Sequence, residues 1–164
     1  MAEHPSITLF KSELNRLLTQ LGAIPNADER IVVLPESVHT AVLAAQALGC
    51  EVGAIANSLL FDAAGQPVLI LTSGAHRVDT AKVSAEQGLP SLKRATPEFV
   101  RTHTGQVIGG VSPIAHPAPI PTYVDPTLRQ FPTVWAAAGH PASVYSMTYE
   151  ELLAITGAQE IEVN

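Results

Sequence analysis

Ile55-Ala56-Asn57-Ser58-Leu59-Leu60-Phe61, Asp62-Ala63-Ala64-Gly65-Gln66 and Pro67-Val68-Leu69-Ile70-Leu71-Thr72 follow one another near the middle of the chain. Two apolar runs around a glycine-containing turn read as a β-hairpin. Both runs are almost continuously apolar, the pattern of strands covered on both faces. The hairpin therefore belongs at the centre of a sheet. Asn57 and Ser58 interrupt the apolar pattern. A polar pair inside a central strand is either hydrogen-bonded within the fold or turned toward a cavity. The sequence leaves both readings open.

The flanking segments supply the cover. Ile7 to Leu21 reads as an amphipathic helix, with Phe10, Leu14, Leu17, Leu18 and Leu21 on the helical period and Gly22 as its stop. Ala23 to Arg30 reads as a polar connector, and Ile31-Val32-Val33-Leu34 as a short strand ended by Pro35. Thr40 to Leu48 is a second helix, alanine-rich on one face and closed by Gly49. Beyond the hairpin, Asp79 caps a helix over 80–87 that Gly88 stops. Thr96, Pro97 and Glu98 start another that runs to about Thr104. Ile120 to Val124 is a short strand among prolines. Thr133 to Ala137 and Ser143 to Met147 pair across Ala138-Gly139-His140-Pro141. Thr148 and Glu151 form a capping box for a last helix ending at Gly157, and Glu160 to Val163 reads as an edge strand. The order predicts about seven strands and five helices. That is a mixed α/β single domain over residues 1–164, with a central mixed, largely antiparallel sheet.

Composition narrows the class. The chain has 164 residues, 46% hydrophobic and 15% charged, which suits one domain with a sizeable core. No apolar run approaches the roughly 18 residues of a membrane span, and the N-terminus lacks a signal-peptide pattern. A single cysteine, Cys50, excludes an internal disulfide and fits a cytoplasmic protein. The net charge of −6 argues against coating nucleic acid by charge alone. Five of the nine Lys and Arg nevertheless fall between Arg77 and Arg101, namely Arg77, Lys82, Lys93, Arg94 and Arg101. They are either a basic patch or a solvated face.

Thr104-Gly105-Gln106-Val107-Ile108-Gly109-Gly110-Val111-Ser112-Pro113 holds three of the eleven glycines. Gly-Gly lets a ligand approach the main chain, and Pro113 stiffens the exit. A rigid loop with exposed amides can hold an anion or oxyanion, although a tight turn is the plainer reading. Six scattered histidines and one cysteine give no zinc spacing, so neither metal nor cofactor is expected. No Gly-x-Ser-x-Gly elbow occurs.

Several blocks recur in a telling order. They are Thr40 with the alanine-rich helix, Ile55 to Phe61, Arg77-Val78-Asp79 with Lys82, and Ala95-Thr96-Pro97-Glu98. Then come Thr104-Gly105 with Gly109-Gly110-Val111-Ser112-Pro113, Tyr123-Val124-Asp125, and Gly139. Together they resemble the YbaK/ProX family, the prolyl-tRNA-synthetase-associated editing domains, over about residues 30–160.

The resemblance implies a mixed α/β fold and hydrolysis of a small amino acid wrongly esterified to tRNA, typically tRNA for proline. It also implies that hydroxyls of the terminal adenosine assist the attacking water. Its implied site has Asn57, Gly109 and Gly110 at the catalytic centre. Thr40, Ser58, Val111, Ser112, Pro113, Gly139 and His140 are the implied substrate contacts. With such a substrate, the cluster of Arg77, Lys82, Lys93, Arg94 and Arg101 becomes the candidate tRNA contact. Its implied partners are the acceptor end of aminoacyl-tRNA and prolyl-tRNA synthetase.

At one position the chain departs from the family. Where a pattern such as Ile-Val-Lys-Ser-Leu-Val-Phe carries lysine, Asn57 stands here. Asparagine offers neutral hydrogen bonds instead of a charge, a loss on the order of a hundredfold in rate. The alternative to an active deacylase is therefore an impaired homologue that binds tRNA ends, nucleotides or aminoacyl groups.

Overall fold

The structure is a computed structural model and describes residues 3–35, 38 and 40–164. At its centre, β2 (Ile55–Ala63) and β3 (Gln66–Ser73) form the expected hairpin, in register from Ala56 opposite Ser73 to Ala63 opposite Gln66. Only Ala64 and Gly65 lie in the turn, both at positive φ, 52° and 90°. That is the primed geometry whose twist matches the strands it joins. The Asp62 carboxylate accepts from the Gly65 N–H at 2.6 Å and closes the turn.

One sheet collects every strand among the described residues. Its order is β1 (Ile31–Val33), β7 (Ser143–Met147), β6 (Val134–Ala137), β2, β3, β5 (Thr122–Val124), β8 (Gln159–Glu160), with β4 (Leu92–Arg94) also paired to β2. The β1–β7, β7–β6, β2–β3 and β2–β4 pairings are antiparallel, and the β6–β2, β3–β5 and β5–β8 pairings are parallel. The mixed sheet expected from the sequence is thus present.

Helices cover both faces. On one side, α1 (Pro5–Gln20), α5 (Pro97–Thr104) and α6 (Tyr149–Thr156) pack on Ala56, Leu60, Leu69, Leu71, Tyr145 and Met147. Phe10, Leu14 and Leu18, one helical turn apart, have no exposed surface. Each contributes about 1.5–3 kcal/mol by leaving water. On the other side, α3 (Ala41–Leu48) packs Ala44 and Ala45 on Ile55 and Val144, and α4 (Thr80–Gln87) packs Val83 on Val68 and Ile70. Alternation along the strands divides the side chains between the two layers.

The caps read from sequence at Asp79, Thr96 and Thr148 form as expected, and Thr40, expected only to begin its helix, is a cap as well. Thr40, Asp79, Thr96 and Thr148 each accept from a backbone N–H in the first turn of α3, α4, α5 and α6. The polar connector contains a short helix instead, α2 (Ala27–Arg30). Arg30 clamps Glu151 with two hydrogen bonds of 3.0 and 2.8 Å, which ties α2 to the capping box of α6. β4 was not expected: Leu-Lys-Arg is too short and too polar to show a strand period. The last strand is shorter than expected: the pairing ends at the Ile161 N–H, which donates to the Val124 carbonyl at 3.0 Å, and Ile161 and Val163 are buried. Among the described residues no helix is long and apolar enough to cross a membrane.

Alanine at φ 52° is strained, because its Cβ crowds the following carbonyl. Ala64→Asn should relieve this and stabilise the fold by about 0.5–1 kcal/mol, a gain of about 1–4 °C in thermal midpoint. A differential scanning calorimetry trace with no rise would contradict the turn geometry.

Candidate active site

β2 has a complete partner on one edge and a broken one on the other. β3 pairs along almost its whole length. On the opposite edge, β6 pairs only at Ile55 and Ala56, and β4 only at Phe61, Asp62 and Ala63. Residues 57–60 face a gap in the sheet. The Gly74 N–H donates to the Ile55 carbonyl at 2.7 Å, which sets the phase of the β2–β3 ladder. Asn57 and Leu59 therefore turn their backbone groups to β3, and Ser58 and Leu60 turn theirs to the gap.

A cavity of about 580 Å³ fills this gap. Every residue from Ile55 to Phe61 lines it, as do Arg94 and Ala95 at the end of β4 and Trp135 to Ala137 of β6. On the α3 side lie Thr40, Ala41, Ala44, Asn57, Phe61 and Trp135. On the α5 side lie Ser58, Leu60, Ala95, Val100, Gly109 and Val111. The walls are mostly apolar. Among the described lining residues the only polar side chains are Thr40, Asn57, Ser58 and Arg94. His39 lies outside the described residues.

Asn57 makes no side-chain hydrogen bond to the described residues, and the Ser58 hydroxyl is buried without a partner. Buried polar atoms are normally paired, so the Ser58 hydroxyl is available for a ligand, and the half-buried Asn57 amide stands beside it in the lining. Of the two sequence readings of this pair, the structure shows the cavity-facing one. The Thr40 hydroxyl accepts from the Leu43 N–H at 3.1 Å and keeps its own proton free to donate.

The glycine loop borders the cavity through Ile108, Gly109 and Val111. Its tip is a turn closed by the Gly110 N–H on the Val107 carbonyl at 2.9 Å, with Gly109 at φ 89°. Gly110 is not in the cavity lining. A Cβ there would come within 2.6 Å of the Pro141 nitrogen, so its role is to let the loop touch the His140–Pro141 turn. The Gly109 and Val111 amides donate to no group among the described residues.

Ser112 and Pro113 are buried behind the loop. Gln106 holds Ser112 from both ends: its Oε1 accepts from the Ser112 N–H at 2.7 Å, and its Nε2 donates to the Ser112 hydroxyl at 3.1 Å. The hydroxyl donates in turn to the Ile114 carbonyl, so it is spent on the loop. His116 Nε2 lies 2.8 Å from the Ser112 carbonyl, and burial holds its imidazole below the usual histidine range. Gln106 and His116 carry the loop's shape, and neither had a sequence signal beyond lying in a glycine-rich stretch.

Of the other expected contacts, Gly139 backs onto Ser6 of α1, and the His140 ring packs on His4 with centroids 4.5 Å apart. Lys82 pairs with Glu162 and donates to the Asn164 carbonyl. Arg77, Lys82, Lys93 and Arg101 do not line the cavity. The structure thus brings together Thr40, Asn57, Ser58, Gly109, Val111 and Arg94.

Gln106→Ala should strip both bonds from a buried serine, costing about 1–3 kcal/mol and loosening the loop. Chemical denaturation checks it, and an unchanged midpoint would contradict the assigned tether. His116 adds a pH dependence. Its folded pKa is depressed, so its contribution is present above the unfolded value near 6.5 and is lost as pH falls. Stability of the wild type should decline more steeply below about pH 6.5 than that of His116→Gln.

The sequence profile of the aminoacyl-tRNA editing domain matches residues 35–155, which span the cavity walls and the glycine loop. A solved structure of a candidate trans-editing enzyme for prolyl-tRNA synthetase superposes with a TM-score of 0.87 at 40% identity, over 99% of both chains. An uncharacterized Bacillus subtilis protein, YwhH, is 32% identical over 130 residues, 77% of this chain and 81% of its own. EbsC of Enterococcus faecalis, a candidate Cys-tRNA(Pro)/Cys-tRNA(Cys) deacylase, is 26% identical over 121 residues, 73% of each chain. The chain belongs to the aminoacyl-tRNA editing domain family.

Proposed function

We propose that this chain, read over residues 1–164 as one editing domain, is a trans-editing aminoacyl-tRNA deacylase. Its substrate in this reading is a small amino acid wrongly esterified to the terminal adenosine of tRNA for proline. The observation that carries the reading is the cavity in the sheet gap, apolar in its walls and edged by backbone donors. The family match and the relatives favour a deacylase over a binding module. The relatives' own descriptions point to proline tRNA and to prolyl-tRNA synthetase as the partners. The cytoplasm, where charged tRNA is used, is the matching compartment.

The two sides of the gap suit the two halves of the substrate. The α5 side is walled by small and apolar residues, Ala95, Val100, Val111 and Ala136, and suits the amino-acid side chain. The α3 side, with Asn57, Thr40 and Trp135, suits the ribose and base. The ester then lies at the level of Ser58. Its carbonyl oxygen is within reach of the Ser58 N–H and of the loop amides of Gly109 and Val111. Such donors stabilise the oxyanion that forms when water attacks the ester carbon. Among the described lining residues none is a carboxylate, histidine or cysteine. The proton of the attacking water passes to the substrate, through the ribose hydroxyl beside the ester. The acyl–oxygen bond then breaks, giving the free amino acid and the ribose hydroxyl. Asn57 holds the ribose by neutral hydrogen bonds.

Single-turnover deacylation of alanyl- and cysteinyl-tRNA for proline tests this. The unmodified chain should hydrolyse at least one of them well above its spontaneous rate. Asn57→Ala should lose about tenfold, and Asn57→Lys, which adds a charge-assisted contact, should gain on the order of a hundredfold. No acceleration by folded wild-type protein on either substrate would favour the binding module.

A further inference from the structure

Arg94 is the only charged side chain among the described residues that line the cavity. It pairs across the ladder with Phe61, while its neighbour Lys93 pairs with Asp62. Directly opposed residues share a face, and alternate residues along β2 share a face. Arg94 therefore stands on the face of Asn57, Leu59 and Phe61, and Lys93 on the other. The two adjacent cations act on different sides of the sheet. Arg94 is exposed and has no carboxylate within 4.0 Å among the described residues. A guanidinium at the end of an otherwise uncharged cleft selects an anion, and its planar fork matches a phosphate.

The spacing says which anion. Asn57 and Phe61 are four residues apart on β2, about 13 Å along an extended strand. The bonds joining a ribose 3′-oxygen to the 5′-phosphorus of the same nucleotide span about 6 Å, and a hydrogen bond of about 3 Å at each end brings the total to about 12 Å. We propose that Arg94 holds the 5′-phosphate of the acyl-bearing nucleotide, so that the cavity recognises a nucleotide and not merely a nucleoside ester. This rests on the deacylase reading for its orientation. The charge that the strand lacks at Asn57 is thereby supplied from the neighbouring strand, at the phosphate and not at the ester.

Binding of 5′-AMP and of adenosine, followed by NMR shift titration, tests it without turnover. Wild type should bind AMP at least about tenfold more tightly than adenosine, the size of one charge-assisted contact. Arg94→Ala should bring the ratio to about one with adenosine affinity unchanged, and Arg94→Lys should keep part of it. Arg16→Ala, a cation removed from α1, should keep all of it. Equal binding of the two ligands by wild type, no binding of either, or a ratio that survives Arg94→Ala would overturn the proposal. Hydrolysis of 2′(3′)-O-alanyl-AMP and 2′(3′)-O-alanyl-adenosine separates the two readings. An intact AMP preference with no hydrolysis defeats the deacylase alone, and hydrolysis of both esters at equal rates defeats Arg94 alone.

Discussion

A long strand between two short neighbours that do not meet is the constraint on which the molecule depends. β6 runs parallel to β2 and leaves it after Ala56, and β4 joins it antiparallel from Phe61. Between them the backbone of Ser58 and Leu60 has no strand to pair with. Inside a protein an unpaired amide is costly, and a fold keeps one where something else is meant to bind. In an apolar cleft such a donor is also worth more than in water, because the surrounding dielectric is low. The same break therefore makes a vacancy and arms it.

The rest of the fold holds the break open at a fixed width. β3 backs β2 along its length, so the strand cannot bend into the gap. α1 and α6 pin β6 and β7 through Phe10, Leu14, Leu152 and Tyr145. Gln106 and Ser112 fix the glycine loop across one mouth, and Gly110 seats it on the His140–Pro141 turn. Several residues that look like site residues thus work one layer back. They shape the cleft and touch nothing inside it.

Much of this was legible in the sequence. The hairpin showed as two apolar runs around a short turn, and four helix starts showed through Thr40, Asp79, Thr96 and Thr148. Asn57 and Ser58 showed as a polar defect in an apolar strand, and the structure turns both toward the cavity. The remainder depends on contacts distant in sequence. β4 is three residues with no period of its own and exists because β2 offers it an edge. The division of Lys93 from Arg94 follows from a register that no local pattern sets. Ser112 reads as a candidate contact until Gln106, six residues earlier, is seen to occupy its hydroxyl. Glycine 110 and Gly109 look alike in the sequence, yet only Gly109 borders the cavity.

Amide hydrogen exchange across residues 57–60, read residue by residue by NMR, tests the broken edge most directly. The account predicts alternation in the free protein. Asn57 and Leu59, bonded to β3, should be strongly protected, and Ser58 and Leu60 should exchange much faster. A non-hydrolysable alanyl-adenosine analogue should then slow Ser58 selectively. Uniform protection along all four residues in the free protein would mean the edge is closed, and the site would have to be sought elsewhere.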